Sequence, residues 1–203
     1  SGGWPDRVGG SSPDLRTSAI MAVALKEAHI SGMFEPGRLL SVEDARWMES
    51  ITDAKTGLLK AEPKDYQFSR IDGEMLHRMT LGQHPETQTA YAAAYRIALG
   101  ENPTEGILAL QLKRILRLPP PTDVASGYFD SFHAFMSAWI SDELDDPAWS
   151  EYNQVVATAI SSHIMRSEPI RNSDSDFRRN RFLTDARLAI TSRLLLDHEP
   201  KKK

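Results

Sequence analysis

At 203 residues the chain is long enough for one domain or two small lobes with a buried core. Its 40% hydrophobic and 26% charged residues exclude an intrinsically disordered chain, and the lack of any apolar run of about 18 residues excludes a helical membrane span. The net charge of −4 conceals a split: from Arg166 onward ten Lys or Arg oppose six acids, a balance of +4, so the remainder carries −8.

Taken in order, Ser1-Gly2-Gly3 reads as a cloning scar. Residues 1–14 form a Gly-, Ser- and Pro-rich arm with Trp4 as its anchor. The run from Leu15 to Ile30 is apolar on several sides, which predicts a helix buried most of the way round. Ser41, Glu43 and Asp44 mark the next helix start, because a hydroxyl and two carboxylates suit the free N–H groups and positive dipole there. Ala45, Met48, Ile51, Lys55 and Leu58 continue it at helical spacing as far as Pro63.

A shorter stripe, Phe68, Ile71, Met75 and Met79, ends at Gly82. Pro85 then opens a helix from Glu86 to Leu99 whose Ala90, Tyr91, Ala94 and Tyr95 share a face. Another helix runs from Glu105 to Leu118. Pro119-Pro120-Pro121 forbids continuation and divides an N-terminal lobe, 15–118, from a C-terminal lobe, 122–197. Two central helices meet at Asp145-Asp146-Pro147, a last helix spans 174–197, and 198–203 is a frayed basic tail. No segment alternates with the period of a strand. The reading is all-α: a compact bundle of seven or eight helices in two lobes.

The stretch from Thr122 to Arg166 carries the strongest functional signal. It holds seven of the sixteen aromatics and seven acids, and no Lys or Arg lies between Arg117 and Arg166. Tyr128, Phe132, Phe135, Met136, Trp139 and Ile140 form one helical stripe, and Tyr152, Val155, Val156, Ala159, Ile160, His163 and Ile164 form another. In-phase stripes suit a core. Aromatics without Lys also suit the centre of an interface. Phe129, Trp139, Trp149 and Tyr152, flanked by Asp142, Glu143, Asp145 and Asp146, are the candidate partner-binding residues, and self-association or a protein partner is the expectation. As solvated acids, Asp142 to Asp146 lack the Gly and ligand ladder of a calcium loop.

The rival reading is a nucleic-acid-associated scaffold using Arg171, Arg178, Arg179 and Arg181. On a helix turning about 100° per residue, Arg178, Arg179, Arg181 and Arg187 would point all round the axis, which argues against a groove-reading face. The same segment is expected to pack near the acidic turn. A metal-dependent helical enzyme is a third class, resting on Glu74 with His77 and Asp130 with His133, each on one helical face. Paired Glu-x-x-His sites need longer helices and further carboxylates. His163 on its apolar stripe reads as a core histidine. Phosphate-loop, dinucleotide, zinc-protease and hydrolase signatures are absent from the sequence. The expectation is therefore a non-catalytic interaction module with no catalytic residues, metal or cofactor. With zero cysteines there are no disulfides, which suits a reducing intracellular compartment.

Overall fold

The computed structural model describes residues 2–5, 13–33, 41–60, 85–117, 122–123, 128–129, 131–144 and 146–166. The stripe at 68–82, the triple proline, Asp130, Asp145 and the whole of 167–203 lie outside the described residues. That range takes in Arg171, Arg178, Arg179 and Arg181, and with them the expected packing of the basic segment on the acidic turn. Among the described residues the fold is helical, with six helices and one very short pair of strands. Two compact units are present, Ser1–Ile115 and Leu116–Lys203.

In the first unit, α1 (Leu15–Ile30) opens where the Asp14 carboxylate accepts the Thr17 N–H at 2.8 Å and the Thr17 hydroxyl at 2.7 Å. It closes where the Gly32 N–H donates to the His29 carbonyl and the Met33 N–H to the Ala28 carbonyl, with Gly32 at φ +71°. The helix buries Ser18, Ala19, Ala22 and Val23 and leaves Ile20 and Met21 each 38% exposed. This corrects the expectation of all-round burial, since only one face of α1 is covered.

α2 (Val42–Ile51) starts with a reciprocal capping box between Ser41 and Asp44. It stops at Ile51, short of Leu58, because the next residues offer the backbone better partners. The Asp53 carboxylate accepts the N–H groups of Lys55 and Thr56, both at 2.9 Å. Gly57 takes φ +72°, and Thr52 bridges back to Leu59. An Asp that captures nearby N–H groups competes with helix continuation.

α3 (Pro85–Ala98) is the centre of this unit. Every residue from Thr89 to Ile97 is buried, Arg96 among them. Its alanines let α1 lie along it, and α2 packs on it as well. α4 (Gly106–Arg117) buries Leu108, Gln111, Leu112 and Ile115. The Gln111 amide donates to the Gly57 carbonyl at 2.8 Å, which ties the Asp53–Gly57 turn to α4.

In the second unit, β1 (Thr122–Asp123) and β2 (Tyr128–Phe129) pair antiparallel, Thr122 opposite Phe129 and Asp123 opposite Tyr128. Tyr128 thus belongs to a strand pair rather than to the helical stripe expected of it. α5 (Ser131–Leu144) and α6 (Ala148–Arg166) form the central hairpin, and α6 also packs against β2. The Asp146 carboxylate accepts the Ala148 N–H at 2.9 Å and so starts α6, with Pro147 beside it.

Candidate interaction surfaces

The hairpin of the second unit is where the candidate contact residues converge. α5 buries His133, Ala134 and every residue from Met136 to Ser141, and α6 meets it with Trp149, Tyr152 and Val156. Trp149 and Tyr152 pack edge to face, with ring centroids 5.6 Å apart. The Tyr152 hydroxyl lies 2.9 Å from His133 Nε2, so a polar contact sits inside the hairpin. Ser137 and Ser141 continue that polar line, one turn apart. The Ser137 hydroxyl donates to the His133 carbonyl at 2.8 Å, and the Asn153 amide donates to the Ser141 hydroxyl at 2.8 Å. Polar groups fixed at these positions make one register of α5 on α6 better satisfied than any shifted one.

Trp139, Trp149 and Tyr152 are 3%, 2% and 5% exposed, so their rings belong to the interior of the unit rather than to its surface. Phe129 stands in β2. Asp142 and Asp146 are exposed and Glu143 is half-buried, so the described acids of the turn lie at the surface. Beside α6 is a shallow depression of about 260 Å³ lined by Leu116, Arg117, Ala148, Glu151, Tyr152 and Val155. Val155 is 44% exposed, and Tyr152 is the one ring among the candidates that reaches this depression.

A second constellation, in the first unit, joins the Ser41–Asp44 helix start to residues far from it in the sequence. Asp44 Oδ1 accepts the Gly3 N–H at 2.7 Å and the Tyr95 hydroxyl at 2.9 Å, while Oδ2 accepts the Ser41 N–H at 2.7 Å and the Ser41 hydroxyl at 2.8 Å. Burial opposes the charge on Asp44, yet these four donors outweigh it and hold the carboxyl below its ordinary range. Burial, then the bond to Asp44, pushes the Tyr95 hydroxyl well above the ordinary phenol range.

The Trp4 backbone completes the arm's attachment. Its N–H donates to the Ser18 hydroxyl at 2.8 Å, and its carbonyl accepts the Asp14 N–H at 2.8 Å. The rings of Trp4 and Trp47 both stand edge-on to Tyr95, with centroids at 6.5 and 5.7 Å. Trp4 is therefore an anchor, and residues 2–5 are docked rather than loose. A Cβ on Gly2 would come within 2.3 Å of the Glu43 carbonyl oxygen, so only glycine fits there.

Next to this hub, Arg96 is 2% exposed and makes two bonds to the Glu101 carboxylate at 2.7 and 2.9 Å. Its second terminal nitrogen reaches the Thr52 hydroxyl at 3.3 Å and the Met48 carbonyl at 3.4 Å. In both constellations the hydrogen bonds join one structural element to another.

Among the described residues no group of three or more His, Asp or Glu is placed to hold a metal ion, and no helix is long and apolar enough to cross a membrane. Compared with protein-family models, curated proteins and solved structures, the chain matches none.

Proposed function

We propose that the protein is a non-catalytic helical interaction or assembly module that meets a protein partner through the hairpin of its second unit. The observation that carries this reading is the charge pattern: no Lys or Arg from residue 118 to 165, with Asp142 and Asp146 exposed at the hairpin turn. A partner bearing Lys or Arg beside an apolar side chain fits that surface, because acids at the rim steer and orient while apolar contact holds. Val155 and the edge of Tyr152 supply the apolar part, at the depression beside α6. Trp139 and Trp149 support the reading from beneath, as the packed rings that keep α5 and α6 in one geometry.

Calorimetric titration with a Lys- and Arg-rich amphipathic helical peptide tests it. Binding is expected to weaken as salt rises and to weaken about tenfold in the D142N/D146N variant. An asparagine side chain caps a helix about as well as an aspartate, so that variant keeps the start of α6. Val155→Asp is expected to abolish binding with the fold intact. No binding at low salt would remove the proposal. The nucleic-acid reading makes the opposite demand: binding to heparin with a steep salt slope, carried by Arg171, Arg178, Arg179 and Arg181.

A further inference from the structure

Residues 2–4 fill a seat that is built by other parts of the first unit. The Gly3 N–H donates to Asp44 in α2, the Trp4 N–H donates to the Ser18 hydroxyl in α1, and the Trp4 ring meets Tyr95 of α3. The Trp4 carbonyl accepts the Asp14 N–H at 2.8 Å and the Ser18 hydroxyl at 3.2 Å. The arm thus touches three helices, and each of these contacts runs from the arm to the seat.

The seat also discriminates. A Cβ on Gly2 would collide with the Glu43 carbonyl and with Asp44 Cα, which are helix backbone and cannot swing aside. Gly3 stands at φ +83°, a left-handed conformation that side chains disfavour. A Cβ there would lie 2.9 Å from Pro13, from the Ser18 hydroxyl and from the Trp47 ring. The third position takes an aromatic ring, edge-on to Tyr95. Whatever the origin of the two glycines, a Gly-Gly-Trp segment is what this seat fits.

The fit does not require arm and seat to share a chain. Nine residues, Pro5 to Pro13, join Trp4 to Asp14, and an extended chain of that length spans about 30 Å. Here its two ends are brought together by the bond from the Asp14 N–H to the Trp4 carbonyl. A second copy carries the same segment and offers the same contacts. Seating its own arm then differs from seating a neighbour's by the entropy of closing that loop. This is equivalent to an effective concentration on the order of millimolar.

We propose that the seat accepts the Gly2–Trp4 segment of a second copy, in a two-fold dimer whose arms each fill the other copy's seat. At micromolar concentration each arm stays on its own seat, and exchange rises toward millimolar. The seat belongs to the first unit, and the proposal stands independently of the hairpin reading.

Stiffening the connection is the test. In R7P/V8P/G9P/G10P/S11P/S12P a nearly continuous proline run extends at about 3.1 Å per residue, which keeps the Trp4 carbonyl away from its own Asp14. Sedimentation equilibrium is expected to show the wild type monomeric at low micromolar concentration, with a dimer fraction that grows toward millimolar. The proline variant is expected to dimerise already at low micromolar concentration, a shift of about a hundredfold.

Adding Gly2→Ala or Trp4→Ala to the proline variant returns it to a monomer, since the arm then fits no seat. Both changes lie in the arm, and far-UV circular dichroism checks that α1 to α3 stay folded. A proline variant that remains monomeric overturns the proposal, as does a wild type that is monomeric at millimolar concentration. So does a dimer that neither G2A nor W4A weakens, which would move self-association to another surface such as the hairpin.

Discussion

Asp44 shows how much one side chain can organise. Its two oxygens take four donors from three separate places in the chain: the arm at Gly3, the α2 cap at Ser41 and the last turn of α3 at Tyr95. Asp44→Asn keeps the volume but replaces one acceptor oxygen with a donor that faces donors. It is expected to cost about 1–3 kcal/mol, read as a lower denaturation midpoint. Tyr95→Phe removes a single donor and is expected to cost about 1 kcal/mol.

The pH dependence follows from the direction of the shift. The folded-state pKa of Asp44 lies below its unfolded value of 3.8, so the stabilisation is complete above that value and is lost as pH falls through the lower, folded value. The difference in stability between wild type and D44N should therefore be constant at neutral pH and shrink below about pH 4.

At the scale of elements, the helices easiest to read were those whose signals are local. Asp146 with Pro147, where the two central helices meet, starts α6. The end of α2 and the start of α5 fall elsewhere than the periodicity places them, because local chemistry competes with it. In α2 the apolar spacing runs on to Leu58, yet Asp53 and Gly57 turn the chain back at once. In α5 the stripe begins on paper at Tyr128, which instead pairs with Asp123.

Of the Asp44 hub only the Ser41 cap is legible in the sequence, because Gly3 and Tyr95 lie 41 and 51 residues away. The shared face of α3, Ala90, Tyr91, Ala94 and Tyr95, is legible, but not that every residue from Thr89 to Ile97 is buried. Only the fold brings these residues together. Gly57→Ala tests the turn that ended α2. A side chain there must take a left-handed conformation and would meet Gln111 Cγ at 3.3 Å. The expected loss is about 1–2 kcal/mol, with Gln111 hydrogen-exchange protection falling alongside it.

For the molecule as a whole, charge and fold respond to acid in different windows. The sequence pI is about 5.9, so net charge passes through zero well above the range in which Asp44 protonates. Lowering pH to near 6 is expected to bring self-association and turbidity while circular dichroism stays native, since low net charge removes the repulsion that keeps copies apart. Unfolding should follow only at far lower pH. Turbidity and ellipticity that changed together near pH 6 would contradict this separation.

The four tryptophans divide evenly, Trp4 and Trp47 in the first unit, Trp139 and Trp149 in the second. The chain thus carries two built-in optical reporters on each half. A W4F/W47F protein would emit from the hairpin alone, and a W139F/W149F protein from the arm and α2 alone. Followed through a denaturant series, the two spectra would tell whether the halves melt as one body or in turn.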